Sequence, residues 1–404
     1  MVTTTAVFWR KMRDLGYVAV GGAACFCGIL YYKNDPKFHR IVTVPLLHAM
    51  DPERSHRLSI LALKYKLLPK RQDTPHPSLR TKILGMDCSS PIGLAAGYDK
   101  DGEAVEGLFR LGFGFVEIGS VTPKPQPGNP GPRVFRLSED EAVINRYGFN
   151  SRGHAEVYEN LSSLPPPGQR NAPVGINLGK NKYSTDHVAD YKEGVRLLAP
   201  LADYLVINVS SPNTPGLRGL QAGGALAELL DGVQLELAEH VKRHPQQRRP
   251  PLLVKIAPDL SENELRNICS VLINKKVDGI IVGNTTVTRP STLRSSHKHE
   301  VGGLSGKPLE ERATNVIRTV ATITKGELPI IGCGGICDGA GVYAKLRSGA
   351  SAVQLYTALV YGGPTLVAEI EDQLLHLMTR DGFSSVSDVI GADLKEKEQR
   401  HVLQ

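Results

Sequence analysis

The sequence predicts an α/β fold, a (β/α)8 TIM barrel with an N-terminal transmembrane helix and a small two-helix N-terminal extension. Three observations carry the prediction. Short apolar runs, each ending in Gly, Asn, Lys or hydroxyl residues, recur at 92–97, 115–120, 174–179, 204–208, 252–257, 279–285, 329–335 and 352–357. Stretches with helical spacing separate them, such as Ala104-Leu108-Leu111, Leu226-Leu229-Leu230-Val233-Leu237 and Leu265-Ile268-Val271-Leu272. An uncharged run at 15–32 precedes them all. Eight strand-plus-helix units fit a closed barrel, whose active sites lie at the carboxyl ends of the strands. An open doubly wound sheet is the competing arrangement, but the GxGxxG fingerprint expected after its first strand is missing.

The elements follow in order. Arg10, Lys11 and Arg13 precede the uncharged run, and Lys33 closes it. Its helix would span about 27 Å, close to the roughly 30 Å hydrocarbon core of a bilayer. Tyr17, Tyr31 and Tyr32 sit near its ends, where amphipathic rings favour the interface. A cleaved secretory signal is the plainer alternative. A basic start with Trp9 and one acid, Asp14, equally fits a mitochondrial address. Residues 1–34 therefore read as a targeting segment and single membrane span, with the bulk of the chain outside the bilayer.

Residues 35–75 read as an amphipathic helical pair. Phe38, Ile41, Val42 and Leu46 share one face, with Pro45 bending or dividing that helix. Leu58, Leu61, Ala62, Tyr65 and Leu68 share another, opposite Arg54, Arg57, Lys64 and Lys66. Such a pair either caps the barrel or lies in the membrane interface, with a groove that admits a lipid-soluble ligand. Pro69, Pro75 and Pro77 mark the linker into a barrel domain over 76–404.

Composition agrees with one large globular domain. A chain of 404 residues that is 41% hydrophobic and 22% charged buries a full core and is not biased towards disorder. The net charge of +7 comes with no basic run interleaved with aromatics, so no nucleic-acid partner is expected. The cysteines at 25, 27, 88, 269, 333 and 337 form no disulfide framework. Cys333 and Cys337 have no further Cys or His to complete a tetrahedral site, so no metal is expected and buried thiols are the better reading.

The strand ends define the chemistry. In 204–217, the run Leu205-Val206-Ile207 gives way to Asn208, Ser210, Ser211, Asn213 and Thr214. Crowded amides and hydroxyls are poor core material and suit a site that grips a hydrogen-bonding ligand, although an Asx/Pro turn reads the same way. Lys255 sets a charge within the apolar strand Leu253-Val254-Lys255-Ile256, suited to a Schiff base or to holding an anion such as a reduced flavin. Glycine loops at 302–306 and 332–335, with the eighth strand end at 354–357, lie where barrels bind phosphate through backbone N–H groups. Asn145, Asn177, Asn208, Asn213 and Asn284 supply amides for a ring bearing adjacent N–H and C=O groups. Lys100 and Arg146 are available for a carboxylate. Only Asp99 and Glu117 offer carboxylates near these ends, so Ser211 is the candidate base by elimination. The segment 210–224, with Pro and Gly at intervals, reads as a lid.

These motifs together resemble the quinone-dependent, mitochondrial-type (class 2) dihydroorotate dehydrogenases. The similarity runs from about residue 51 to 391, through AAGYDKDG at 95–102, GSVTPKPQPGNPGPRVFRL at 119–137, NRYGFN at 145–150, INLGKNK at 176–182 and NVSSPNTPGLR at 208–218. It continues through VKIAPDL at 254–260, NTT at 284–286, GGLSGKPL at 302–309, IIGCGGI at 330–336 and QLYTAL at 354–359. The resemblance implies FMN in the barrel, oxidation of dihydroorotate to orotate in pyrimidine biosynthesis, and ubiquinone as acceptor. It implies a single-pass protein of the mitochondrial inner membrane with its catalytic domain facing the intermembrane space. The family's base falls on Ser211; relatives with soluble acceptors carry Cys there.

By motif, the implied flavin contacts are Ala95, Ala96, Gly97, Ser120, Asn177, Asn208, Lys255, Gly306, Gly335, Tyr356 and Thr357. The implied substrate contacts are Lys100, Asn145, Arg146, Tyr147, Gly148, Phe149, Asn208, Asn213, Asn284 and Thr285. The quinone would reach the flavin between the helices of 36–68, with His56, Arg136 and Tyr356 at the inner end. Gly283 stands where related chains can carry a hydroxyl residue, a departure expected to loosen one flavin contact. Residues 44–48 are the least family-like part, so quinone preference does not carry over. Three other readings stay open: a Schiff-base aldolase using Lys255, another FMN-dependent barrel oxidoreductase, and a membrane-tethered binding protein with a decayed site.

Overall fold

The computed structural model describes residues 4–395. Eight parallel strands close into a barrel: β1 (Ile92–Leu94), β2 (Phe115–Val121), β3 (Val174–Leu178), β4 (Tyr204–Asn208), β5 (Leu252–Ile256), β6 (Gly279–Val282), β7 (Ile330–Cys333) and β8 (Ala352–Leu355). Each pairs with its neighbours in sequence, and β8 pairs back onto β1. Every apolar run expected to be a strand contains one. The runs are continuous rather than alternating because helices cover the outer face and side chains fill the inner one.

The barrel interior is packed by Phe115, Tyr204, Val206, Leu253, Ile281 and Ile331. Two glycines make room for its rings. A Cβ at Gly93 would lie 2.3 Å from the Phe115 ring, and one at Gly175 would lie 2.0 Å from that of Tyr204. The hairpin Thr81–Ile83 with Met86–Cys88 precedes β1. A three-stranded antiparallel sheet, Val134–Leu137, Ala142–Asn145 and Gly303–Gly306, carries Arg136, Asn145 and Gly306 to the mouth.

The amino-terminal helix Thr4–Tyr32 is longer than the uncharged run. Its apolar stretch Ala6–Tyr32 is long enough to cross a membrane and has no buried residue in its most apolar window. Asp35 then caps a short helix, Pro36–Phe38, by accepting from the Lys37 and Phe38 amides at 2.8 and 3.1 Å. A π-helical turn, His39–Thr43, leads into Val44–His48. The expected break therefore comes at this turn. Pro45 sits in a first helical turn, where its missing N–H costs nothing.

The helix Pro52–Lys64 follows, capped by Asp51 on the Glu53 and Arg54 amides. The apolar faces are also rotated from the expected ones. Ile41 (73% exposed), Leu46 (65%) and Tyr65 (66%) face outward, whereas Val44, Ile60 and Leu63 are buried. The pair thus covers the barrel mainly through residues outside the expected stripe, which is exposed at Ile41, Leu46, Leu58 and Tyr65 and half-buried at Phe38, Val42, Leu61, Ala62 and Leu68.

Candidate active site

The floor of the site is a polar knot inside the barrel. Glu117 on β2 accepts from Asn177 Nδ2 at 2.8 Å, Gln354 Nε2 at 2.6 Å and Tyr204 OH at 3.4 Å. Lys255 on β5 pairs with the same carboxylate at 3.5 Å, with both side chains almost wholly enclosed. Burial pushes the Lys255 pKa down, but the carboxylate outweighs it and the pKa stays above the usual lysine value. Removing one partner of such a pair costs about 3–5 kcal/mol, because the other charge is left buried alone. Sequence reading placed Lys255 but not this partner, which is 138 residues away.

A second network extends towards the mouth. Asn208 at the end of β4 donates to Ser120 Oγ at 2.7 Å and to Asn177 Oδ1 at 3.1 Å. It accepts from Ser210 Oγ at 2.7 Å, and that hydroxyl accepts from Asn284 Nδ2 at 2.7 Å. Ser211 follows, its Oγ accepting from the Asn213 amide at 3.3 Å. Asn213 Nδ2 donates to the Asn145 carbonyl at 3.1 Å, tying the loop after β4 to the mouth sheet. Asn145, Asn208, Asn213, Asn284 and Ser211 all border one cavity, whereas Asn177 lies beneath Ser120 and Asn208.

Among the described residues the cavity lining holds no carboxylate. Asp99 is buried behind it and accepts from the Glu103 and Ala104 amides at 3.0 and 2.8 Å, with burial pushing its carboxyl up to about 6. Asp99 therefore shapes the turn after β1 rather than facing a ligand.

Lys100 reaches over the cavity, donating to the Gly97 carbonyl at 2.8 Å with its ammonium 4.1 Å from the Tyr147 ring centre. Burial pulls its pKa down to about 8. Tyr147, Gly148, Phe149, Asn145 and Thr285 line the same space. Arg146 does not. It turns outward to Glu300 Oε2 at 2.7 Å and the Val301 carbonyl at 3.0 Å, over the Phe135 ring. Adjacent residues leaving an extended strand point to opposite sides, so Asn145 and Arg146 cannot both face inward. Arg146 therefore meets the carboxylate of Glu300 and not a ligand in the cavity.

The glycine loops form the opposite wall, where Gly306, Gly335 and Thr357 line the cavity and Thr357 Oγ1 donates to Ser305 Oγ at 2.8 Å. A Cβ at Gly306 would lie 2.3 Å from the Glu141 carbonyl, and one at Gly335 would lie 2.3 Å from the Glu310 nitrogen. Both loops are held against neighbouring backbone and present bare main chain to the cavity. The first amides of the helix Thr357–Gly362 have no intrahelical acceptor. Together with Ala95, Ala96 and Gly97 on the facing loop and Lys255 below, this wall fits a flat ring carrying a phosphate tail. At Gly283, φ is +109° and a Cβ would lie 2.0 Å from the Cys333 carbonyl, so this backbone excludes a side chain there.

Towards the amino-terminal helices the lining turns aromatic and apolar. His56 bonds the Tyr98 carbonyl at 2.8 Å, with its ring centre 5.2 Å from that of Tyr98 and 6.1 Å from that of Tyr356. Burial, aided by Lys100, pulls the His56 pKa down to about 4, so its ring is neutral. Arg136 donates to the Leu47 and His48 carbonyls, each at 3.0 Å, and holds the end of helix Val44–His48. His48 binds the Val360 carbonyl at 2.8 Å. Val44, Leu47, Val134, Val143 and Leu359 complete an apolar passage. Tyr98, whose hydroxyl donates to Ser59 at 2.9 Å, went unnoticed in sequence because it sits inside a motif read for its glycine and lysine.

Comparisons with known proteins agree with this geometry. The family model described as dihydroorotate dehydrogenase matches residues 78–378. A Mus musculus protein named dihydroorotate dehydrogenase (quinone), mitochondrial, is 48% identical over 95% of this chain and 99% of its own length. A protein of Azorhizobium caulinodans, named dihydroorotate dehydrogenase (quinone), is 50% identical over 87% of this chain and 98% of its own. The Eimeria tenella DHODH structure in complex with ferulenol superposes with a TM-score of 0.81 at 42% identity, covering 85% of this chain and 96% of that one. The mitochondrial names among these relatives and the apolar amino-terminal helix fit a mitochondrial membrane protein. A closed barrel, a serine-bearing loop over a cavity without carboxylates, a buried lysine beneath it and these relatives give one conclusion: the chain belongs to the quinone-dependent dihydroorotate dehydrogenases, a family of flavin-dependent oxidoreductases.

Proposed function

We propose that this protein oxidises dihydroorotate to orotate at the barrel mouth with FMN, and passes the electrons to ubiquinone drawn from the mitochondrial inner membrane, in pyrimidine biosynthesis. The barrel would face the intermembrane space. The observation that carries the reading is Ser211, set on a loop over a cavity whose lining offers no carboxylate base. When bound, FMN supplies the hydride acceptor and the two-electron store that a quinone can empty.

The chain's own residues do the rest. Lys100 and the amides of Asn145, Asn213 and Asn284 would orient the substrate's carboxylate and its ring N–H and C=O groups. Ser211 Oγ takes the proton from the carbon beside the ring carbonyl as hydride leaves the neighbouring carbon. A serine hydroxyl is a weak base, so the proton would pass on through a relay to solvent, while enclosure by the 210–224 segment keeps the reacting carbons dry. Ala95, Ala96, Gly97, Ser120, Asn208, Lys255, Gly306, Gly335, Tyr356 and Thr357 would hold the flavin, with Lys255 stabilising the negative charge that arrives with the electrons. Asn177 would act by holding Ser120 and Asn208. Residues 35–75 would form the quinone passage, with His56, Arg136 and Tyr356 at its inner end.

The aldolase reading is weaker on a physical ground. Schiff-base formation needs a neutral amine, whereas Glu117 favours charged Lys255. The deciding experiment is a visible spectrum of the purified protein. A yellow chromophore bleached by dihydroorotate without oxygen supports the proposal. A colourless protein, or a borohydride-trapped adduct at Lys255, defeats it.

A further inference from the structure

Arg218 makes a three-way connection at the mouth that the chemistry above does not use. It lies in the short 3-10 turn Leu217–Gln221, after the base loop. Its Nε donates to the Ser210 carbonyl at 2.9 Å, Nη1 to Asp259 Oδ2 at 2.8 Å and Nη2 to the Thr285 carbonyl at 3.0 Å. Those acceptors sit on the loops after β4, β5 and β6. The Ser210 carbonyl belongs to the peptide bond that leads into Ser211, so its orientation sets the start of the Ser211 backbone. Thr285 borders the substrate space.

Asp259 is itself fixed. It accepts from Thr286 Oγ1 and from the Val287 amide at 3.2 Å, and Arg312 lies 3.8 Å away. Thr286 is bridged to Leu304 of the mouth sheet. The Arg218 guanidinium thus transmits the position of a rigid wall to the peptide before the base. Its fork geometry matters: a lysine ammonium at this place retains charge but cannot span three separated acceptors.

We infer that Arg218 is a positioning residue that locks the Ser211 hydroxyl over the substrate by clamping the Ser210–Ser211 peptide to Asp259 and to the Asn284–Thr285 loop. The inference rests on the proposed role of Ser211. A base displaced by about 1 Å loses roughly 10²-fold in rate. Proton removal suffers directly, while hydride geometry, set by the ring-binding residues, suffers less.

The test uses full-length Arg218→Lys and Asp259→Asn, with flavin content by absorbance as the check on folding. Stopped-flow flavin reduction is followed with dihydroorotate deuterated at the carbon that loses the proton, or at the carbon that gives hydride. Arg218→Lys should retain flavin and reduce it about 10²-fold more slowly. The isotope effect at the proton-losing carbon should rise, and that at the hydride carbon should not. Asp259→Asn, which leaves the two carbonyl bonds available, should show the same pattern with a smaller loss. Arg218→Lys reacting at the parent rate, or slowed with both isotope effects unchanged, overturns the inference. Should Arg218→Lys lose its flavin, Asp259→Asn decides by the same isotope criterion. A parent protein that does not reduce its flavin with dihydroorotate defeats the functional reading instead, which keeps the two failures distinct.

Discussion

In the barrel, Glu117 at the floor of the site is bonded to groups from β3, β4, β5 and β8, and Asn208 towards the mouth to groups from β2, β3 and its own loop. Residues 36–68 are held from one side only. They leave Ile41, Leu46, Leu58 and Tyr65 uncovered on one side, and on the other meet the barrel through Leu63, the His48, His56 and Arg136 bonds and rim ion pairs such as Arg57–Glu103, Arg133–Glu53 and Arg40–Glu369. Exposed apolar area costs about 25 cal/mol per Å², so a stripe beside an apolar span is stable where lipid covers it. One region fixes atoms for chemistry from all sides, whereas the other is anchored on one side and leaves an apolar surface open on the other. The difference implies that the two half-reactions can be damaged separately.

The largest expected effect lies on the rigid side. Ser211→Ala should keep bound flavin yet slow its reduction by dihydroorotate by about 10²–10⁴-fold, the usual worth of a positioned base. Ser211→Cys should recover part of the rate and move the pH profile, since a thiol ionises near about 8.5. Stopped-flow reduction at saturating substrate is the measurement, and an alanine variant reacting near the parent rate removes Ser211 from the role.

The two regions also differed in how far the sequence disclosed them. All eight strands were legible, because a strand covered on both faces writes itself as a continuous apolar run and its end as polar residues. Lys255, Asn208 and Ser211 were legible for that reason. Glu117 was visible as a residue but not as the partner of Lys255, since barrel closure alone brings β2 and β5 side chains together. Arg146 was read as a substrate contact whereas its side chain turns to Glu300, because a motif gives order along the chain and not direction across it. In residues 36–68 the faces differ from the expected ones: the π-turn His39–Thr43 shifts the register of the first segment, and the second helix ends at Lys64, which puts Tyr65 and Leu68 beyond it. That segment also packs against the barrel and a span at once, so no single stripe marks its buried side.

A smaller effect on the same rigid side comes from Lys100. Its pKa near 8 means that the ammonium form prevails below that pH and the neutral amine above it. Only the charged form attracts a carboxylate, so kcat/KM for dihydroorotate should fall about tenfold per pH unit above that value. The bound carboxylate favours the charged amine, and kcat should therefore stay flat over the same range. Lys100→Met should raise KM and abolish the fall. A kcat/KM profile that is level from pH 7 to 10 in the parent would sink this assignment.

On the amino-terminal side, His56→Ala should raise KM for a tailed quinone by about 1 kcal/mol, roughly fivefold, while flavin reduction by dihydroorotate stays at the parent rate. His56 is neutral and shielded by the Tyr98 and Tyr356 rings, so its loss removes a polar partner without stranding a charge. Arg136→Ala should act in the same direction for a further reason, because its two carbonyl bonds hold the end of helix Val44–His48. A fall in the flavin half-reaction with unchanged quinone kinetics would reverse the division between the regions.

The smallest catalytic effect belongs to the span itself. Deleting residues 1–33 removes the helix Thr4–Tyr32 with its exposed apolar surface, and the protein should pass from the membrane fraction to the soluble one. Among the described contacts, the deletion costs the Tyr31 hydroxyl bond to the Leu67 carbonyl, the Asn34 and Asp35 amide bonds to the Tyr31 and Leu30 carbonyls, and the packing of the Tyr31 ring on Phe38 and His39. None of these groups lines the cavity, and the caps Asp35 and Asp51 of the helices that follow are retained. Flavin reduction by dihydroorotate should therefore match the parent, and turnover with a short-tailed quinone in detergent should persist. Turnover with a long-tailed quinone in vesicles should drop, because the apolar tail must then cross water to reach the passage. If the truncated protein uses membrane-embedded long-tailed quinone as fast as the parent, anchoring contributes nothing to acceptor delivery. The exposed stripe of residues 36–68 would then hold the enzyme at the lipid surface by itself.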